Sequence, residues 1–215
     1  MYLWFLFSLV FVAGWIFFYI KHPSLRHPMR IIGLLIVPTT IFQFFYMKDY
    51  WNPPSIVPSL QQYGIDIESA LWTFFSPGIS LATYGYLSSR TSYRPRWKMI
   101  IYLYLLGLSG YLIGTVLGFN SIYAAIVGMI FGIIGGNALL KINYQAGLKS
   151  ISIFFVFYLG CFCLLNLIDP SYVPTFWKTQ NVSGIFILAI PLEEIFFGVC
   201  AGTFYVFFSD ALLSR

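Results

Sequence analysis

Two adjacent carboxylates, Glu193 and Glu194, lie inside a long apolar run from Val182 to Phe208. The run is long enough to cross a bilayer. A carboxylate inside a membrane helix is energetically expensive unless it is neutral or paired, so such residues usually have a function. Pro191 stands just before the pair and frees backbone carbonyl groups beside it. This stretch is therefore the first candidate for chemistry, and the alternative is that a Glu only joins neighbouring helices by hydrogen bonds.

A carboxyl group in a dry environment favours its neutral form, because desolvation penalises the charge, and it can then act as a general acid. In an aromatic-walled cavity it could protonate an alkene, and the aromatic faces would stabilise the resulting cation. A carboxylate that removes a different proton would complete an isomerisation without a metal or a redox cofactor. Glu193 shares a helix face with Phe197 and Phe204, whereas Glu194 shares one with Gly198 and is expected to point toward a neighbouring helix.

The composition indicates a polytopic, all-α membrane protein. Of the 215 residues, 59% are hydrophobic and 9% charged, whereas soluble domains carry about 25% charged residues. The excess of five positive charges does not indicate nucleic-acid binding, because the charges lie between apolar runs. The cysteines and histidines do not follow the spacing of metal ligands, so we expect no metal site and no cofactor.

The apolar runs predict seven transmembrane helices. They cover about 2–20, 30–47, 64–87, 98–118, 121–140, 149–168 and 182–209. Ten Lys and Arg residues then fall on one side of the membrane and two on the other. This bias predicts that the N-terminus is outside and the C-terminus in the cytoplasm. Because the chain starts directly with a span and shows no organelle-targeting segment, we expect an integral protein of the cytoplasmic (plasma) membrane. Asp210, at the cytoplasmic end of the last span, is expected to be a solvated helix end.

The chain also shows an internal repeat. A shift of 120 positions places Asp49 on Asp169, and a shift of 125 places Glu68 on Glu193. The pattern predicts two parallel three-helix repeats, 1–88 and 120–215, joined by a connector helix within 89–119. A twofold axis along the membrane normal would let the two acid-bearing helices face each other across a shared interior.

Matching loops rich in Pro, Tyr and Trp precede the third and seventh spans. One runs from Lys48 to Pro58 and the other from Asp169 to Trp177. Their composition favours an aromatic belt at the outer interface of the membrane. A lid over the interior is the alternative.

The pattern resembles the integral-membrane lycopene cyclase domain, which occurs in pairs and carries a Pro-x-Glu-(Glu/Asp)-x-x-Phe motif. Pro191, Glu193, Glu194 and Phe197 match that motif position by position. In the first repeat Glu68 keeps the first acid, while Asp66 stands at the Pro position, Ser69 at the second acid and Trp72 at the Phe.

The resemblance implies a membrane isomerase that cyclises the end of a linear carotenoid or related terpenoid. By the same resemblance, Glu193, Glu194 and Glu68 are the catalytic acids. Phe197, Trp72, Phe204 and Pro191 are expected to line the substrate, and the partners are the lipid bilayer and the hydrophobic substrate.

Two other hypotheses stay open at this point. The chain could be a proton-coupled carrier of a small hydrophobic solute, because parallel repeats and intramembrane acids occur in transporters. It could also be a non-catalytic membrane assembly protein in which the Glu pair only holds helices together. A microbial rhodopsin is excluded, because the last span has no Lys to bind retinal.

Overall fold

The computed structural model describes residues 2–214, and its regular structure is almost entirely helical. The α-helices are α1 Leu3–Lys21, α2 Arg26–Ile36, α3 Gln43–Asp49, α4 Pro58–Gln61, α5 Ile67–Ser88, α6 Trp97–Val116, α7 Ser121–Leu139, α8 Tyr144–Ile168, α9 Tyr172–Phe176 and α10 Leu192–Leu212. Two short antiparallel pairs join β1 Ser92–Tyr93 to β4 Leu213–Ser214 and β2 Phe186–Ile187 to β3 Ile190–Pro191. The prediction of an all-α fold is confirmed.

Six helical stretches within residues 2–214 are long and apolar enough to cross a membrane. They are α1, the stretch Pro23–Asp49 that contains α2 and α3, and α6, α7, α8 and α10. The predicted span 64–87 does form a helix, α5, but it is not among the six; it carries six Ser and Thr residues along its length. The membrane class is confirmed, while the count of seven spans stays a prediction.

Helix α5 lies at the centre of the bundle and is largely buried. It packs against α1, α2, α8 and α10. In the first predicted repeat α5 contacts α1 and α2, and in the second α10 contacts α7 and α8. The two predicted repeats therefore share one packing pattern, and the repeat itself stays a prediction.

The second predicted span is broken in the middle. After α2 the chain forms a 3₁₀ helix, Val37–Phe42, before continuing into α3. Pro38 lies at the start of this segment, and its missing N–H explains why the α-helix does not continue. None of the side chains in the 3₁₀ segment is fully buried.

Helix α10 begins ten residues later than the apolar run suggested, at Leu192 rather than near 182. Residues before it form the β2–β3 hairpin, whose turn holds Leu188 and Ala189 at φ 53° and 59°. Pro191 is the N-cap residue of α10. The prediction that Glu193 and Glu194 lie well inside a membrane helix is therefore wrong: they occupy its first turn, where the helix dipole favours negative charge.

The opposite end of α10 also differs from expectation. Asp210 is fully buried, not solvated. It forms ion pairs with Arg90 and Arg96 and accepts a hydrogen bond from the Tyr84 hydroxyl. Both arginines flank β1, which pairs with β4 directly after α10. The network fastens the end of α10 to the segment between α5 and α6.

Candidate acid–base site

A cavity of about 380 Å³ lies between the helices at the end of the bundle where α5 and α10 begin. Its size is within the range of roughly 300–1,000 Å³ that is usual for small-molecule sites. Its wall is formed by the α2–α3 stretch, α5, α6, α7, α8 and α10 and is mostly aromatic and aliphatic. Glu194 is the only Asp or Glu among the described residues that line it.

The Glu194 carboxylate is surrounded by three neutral donors. The Tyr50 hydroxyl and the Trp177 indole N–H donate to Oε1 at 2.8 Å and 2.9 Å, and the Tyr158 hydroxyl donates to Oε2. Glu194 itself is 6% exposed. Among residues 2–214 both ion pairs involve Asp210, so no described cation neutralises Glu194.

Two loops bring Tyr50 and Trp177 to Glu194. The Lys178 N–H donates to the Tyr50 carbonyl at 2.7 Å, and the Asn52 N–H donates to the Phe176 carbonyl at 2.9 Å. These bonds pair the loops in antiparallel fashion over the end of the cavity. The prediction of an outer aromatic belt is wrong for Tyr50, Trp51 and Trp177, which are 1%, 7% and 3% exposed because they pack inward.

The third donor, Tyr158, reaches Glu194 from α8 because Gly198 leaves space on α10. A Cβ on Gly198 would lie 2.7 Å from the Tyr158 ring. Gly198 is one helical turn after Glu194, so its missing side chain lets the ring lie against the helix beside the carboxylate.

Glu193 lies away from the cavity wall. Its Oε1 accepts hydrogen bonds from the Tyr123 hydroxyl on α7, at 2.5 Å, and from the Ser183 N–H, at 2.9 Å. Its Oε2 is buried without a partner. Glu193 thus connects α10 to α7 and to the loop that precedes the β2–β3 hairpin.

Glu68 has the same position in the predicted first repeat as Glu193 in the predicted second repeat, and it also binds its preceding loop. It is fully buried, and it accepts hydrogen bonds from the Ser55 hydroxyl at 2.8 Å and the Ile56 N–H at 2.7 Å. It does not line the cavity. The structure therefore does not bring Glu68 and Glu193 together with Glu194 around one reacting centre.

Three of the four residues expected to line a substrate lie on the cavity wall: Trp72, Phe197 and Phe204. The Trp72 and Phe197 rings are 5.9 Å apart, and the Trp72 ring is 6.3 Å from that of Tyr158. These aromatic faces surround the space next to Glu194. Pro191 does not line the cavity and instead caps α10 and pairs with Phe186 in the hairpin.

Ser69 takes the place of Glu194 in the predicted first repeat, and it too lies on the cavity wall. Its backbone N–H donates to Asp66 Oδ1, so Asp66 is the N-cap of α5. Asp66 Oδ2 and Ser69 Oγ are both buried, and neither forms a well-aligned hydrogen bond. Burial raises the pKa of the Asp66 carboxyl to about 6, although its polar contacts with Ser69 and Trp4 act in the opposite direction.

The cavity has an apolar mouth between the 3₁₀ segment and α6. Ile41, Leu105 and Leu108 line the cavity and are also 71%, 58% and 44% exposed on the outer surface. All three belong to stretches that could cross a membrane. The mouth therefore opens sideways, on the surface that would face lipid.

No group of three or more His, Cys, Asp or Glu residues that could hold a metal ion occurs among residues 2–214. Among the described residues, the functional groups of the site are therefore one carboxyl group, hydroxyl and indole donors, and aromatic rings.

Comparison with known proteins supports the resemblance noted from the motif. The model of the family described as lycopene cyclase matches residues 120–212, which is less than half of the chain. The matched part contains α7 to α10, with Glu193 and Glu194, and for this part the family prediction is confirmed. No curated protein and no solved structure matches the chain.

Proposed function

We propose that this chain, whose residues 120–212 match the lycopene cyclase family model, is a membrane isomerase that closes a ring at the end of a linear carotenoid or related terpenoid. The family match supports a carotenoid cyclase-like function in the membrane. Within that function we assign the proton transfer to Glu194, and we assign Glu193 and Glu68 to holding the loops around the cavity.

The observation that carries this proposal is the environment of Glu194. It is the one acidic residue of the described wall, it has no cationic partner there, and three neutral donors point at its two oxygens. Without a cation, the carboxyl can hold a proton in the resting state. The fixed donors stabilise the carboxylate that forms as the proton leaves, which is how preorganised dipoles lower a barrier.

The reaction needs only this proton and the cavity wall. Glu194 donates its proton to one carbon of a terminal double bond, and an internal double bond attacks the cation to form the ring. The Trp72, Phe197 and Tyr158 rings stabilise the cation by cation–π attraction. Loss of a proton from a ring carbon then forms the new double bond, so the product is an isomer of the substrate.

The mouth at Ile41, Leu105 and Leu108 favours a substrate that is dissolved in the bilayer. A linear carotenoid can place one end in the cavity while the rest of the chain stays in lipid. A carrier would need a polar opening toward one aqueous side, whereas this mouth is aliphatic and faces the membrane. The distribution of Lys and Arg supports an orientation with the N-terminus outside and the C-terminus in the cytoplasm.

The test is expression of the chain in a bacterium that accumulates lycopene, with the pigments separated by chromatography. The same cells carrying an empty vector are the control, and the protein level in the membrane is measured by immunoblot. Monocyclic or bicyclic carotene in the expressing cells alone is the expected result. Unchanged lycopene in cells with ample protein in the membrane would overturn the proposal.

A further inference from the structure

The proposed reaction needs a group that accepts a proton after ring closure, and the wall of the cavity that contains Glu194 also has a candidate. At the position of the second acid the first repeat has Ser69, and Ser69 lines the same cavity as Glu194. The Ser69 hydroxyl is buried and lies next to the Asp66 carboxyl, without forming a well-aligned hydrogen bond. A buried hydroxyl that is not well hydrogen-bonded is costly, so its presence at this place calls for a function.

A carboxyl group lies directly behind that hydroxyl. Asp66 is 1% exposed; its Oδ1 accepts the Ser69 N–H, and its Oδ2 is buried without a well-aligned hydrogen bond. The Trp4 indole faces the same carboxyl, and its Nε1 forms no well-aligned hydrogen bond. The Ser69 hydroxyl and the Trp4 indole N–H are thus the neighbours of the Asp66 carboxyl beside the cavity.

Glu68 does not fill this role, although it is only two residues from Asp66. Both of its oxygens are occupied by the Ser55 hydroxyl and the Ile56 N–H, and it lies off the cavity wall. The first repeat therefore replaces the second acid of the motif by a hydroxyl on the wall and a carboxyl one layer behind it.

We propose that Ser69 and Asp66 form the proton acceptor of the ring-closing reaction, with the Ser69 hydroxyl touching the substrate and Asp66 acting through it. This inference rests on the proposed function, and it adds two residues to the reacting groups.

The proton balance of the step is simple. The C–H bond of the ring carbon breaks, its electron pair becomes the new double bond, and its proton passes to Ser69 Oγ. Ser69 releases its own proton to Asp66 Oδ2. At the end of the reaction Glu194 has lost one proton to the substrate and Asp66 has gained another from it through Ser69, and exchange of protons with water between turnovers returns both groups to their resting states. A carbocation is so acidic that a hydroxyl backed by a carboxylate suffices as a base.

The charge state of Asp66 gives the inference a pH signature. The raised pKa of about 6 means that Asp66 becomes ionised, and able to accept a proton, only above about pH 6. The titratable groups that face Asp66 are Glu68 on its own helix and Tyr172 from α9. The Tyr172 hydroxyl accepts a hydrogen bond from the backbone N–H of Trp4. The rate should therefore fall as the pH drops through about 6.

The experiment uses membranes that contain the full chain, with lycopene supplied in lipid vesicles, and measures initial rates from pH 5 to 8. Asp66→Asn keeps the N-cap, because Asn caps helices as well as Asp does, but it cannot accept the proton. We expect a rate about 100-fold lower at pH 8, the loss of the low-pH limb, and an unchanged or higher melting temperature. Ser69→Ala should lower the rate similarly, and Asp66→Asn combined with Ser69→Glu should restore much of it, since the carboxyl then stands where Glu194 stands in the second repeat.

The outcomes separate the inference from the proposed function. If Asp66→Asn and Ser69→Ala both keep rates within about twofold of the native chain, the inference is wrong, and Glu194 both donates and accepts the proton. If Asp66→Asn does not fold, Ser69→Ala decides alone, because it leaves the N-cap in place. If the native chain forms no cyclic product, the proposed function fails and the inference fails with it.

Discussion

Replacing Asp210 by Asn keeps the shape of the side chain and removes one negative charge from a fully buried site. In the native chain that charge is shared by the Arg90 and Arg96 guanidinium groups, while the Tyr84 hydroxyl donates to the same carboxylate. After the change two guanidinium groups face a neutral amide. The end of α10 then keeps only backbone attachments to the segment between α5 and α6, such as the β1–β4 pair.

The expected loss of stability follows from the exposure of the two arginines. Removing one partner of a fully buried ion pair costs about 3–5 kcal/mol. The Arg90 and Arg96 side chains are 18% and 43% exposed, so water can solvate part of their charge once Asp210 is gone. We therefore expect Asp210→Asn to lower the free energy of unfolding by about 2–3 kcal/mol. For a chain of this size that is a fall of about 4–12 °C in melting temperature.

The assay is thermal unfolding of the purified protein in detergent, at one scan rate for all variants because membrane proteins often unfold irreversibly. Asp169→Asn is the matched control. The Asp169 side chain accepts hydrogen bonds only from Ser171 among the described residues, and an amide oxygen can accept the same bonds. A melting temperature of Asp210→Asn within about 1 °C of the native value would refute the view that the buried network holds this end of the bundle.

Three further perturbations test other parts of the structure. Gly132→Leu should destabilise the protein strongly in thermal unfolding, because even a Cβ there would lie 2.1 Å from the Phe204 ring; an unchanged melting temperature would contradict the packing. Leu108→Trp should narrow the cavity mouth and lower the rate with lycopene while the melting temperature stays the same, and an unchanged rate would argue against entry there. Asp66→Asn should leave stability unchanged at pH 4 and raise it at pH 8 by up to about 3 kcal/mol. The sign follows from the raised pKa of about 6: folded Asp66 binds its proton more tightly than unfolded Asp66, so native stability falls as the pH rises from about 4 to 6. If the stability of the native chain and that of Asp66→Asn depend on pH in the same way, this prediction is wrong.

Hydropathy and charge predicted most of the helices from the sequence, because long apolar runs have few alternatives to a membrane helix. The start of α10 was missed for a local reason. Residues 182–191 are as apolar as the helix that follows, and only Pro191 signals that the helix begins after it. The hairpin turn at Leu188 and Ala189 uses positive φ angles without a glycine, so the sequence gives no turn signal there.

The identity of the acid on the cavity wall also needed the structure. Glu193 and Glu194 differ by one position, or about 100° around the helix, and periodicity favoured Glu193 as the one beside the aromatic side chains. The tertiary contacts of α10 decide otherwise: Tyr123 binds Glu193 from α7, while Tyr158 and two loops bind Glu194. The motif could locate the pair, but only packing could orient it.

The remaining wrong predictions concern residues whose partners lie far away in the sequence. Asp210 meets Arg90 and Arg96 across separations of 120 and 114 residues. The position of Asp210 at the cytoplasmic end of the last span favoured the simpler prediction of a solvated helix end. Tyr50 and Trp177 likewise fit an aromatic belt by composition, and only the pairing of their loops turns them inward.

The most direct test of the account compares Glu194→Gln with Glu193→Gln in one assay of lycopene cyclisation in membranes. The account predicts that Glu194→Gln lowers the rate by about 100-fold or more at an unchanged amount of folded protein. Glu193→Gln should lower the rate by less than about tenfold and should act mainly through stability, since Glu193 binds α7 and the hairpin loop. The opposite pattern, with cyclisation abolished by Glu193→Gln and retained by Glu194→Gln, would contradict the central claim that the carboxyl on the cavity wall transfers the proton.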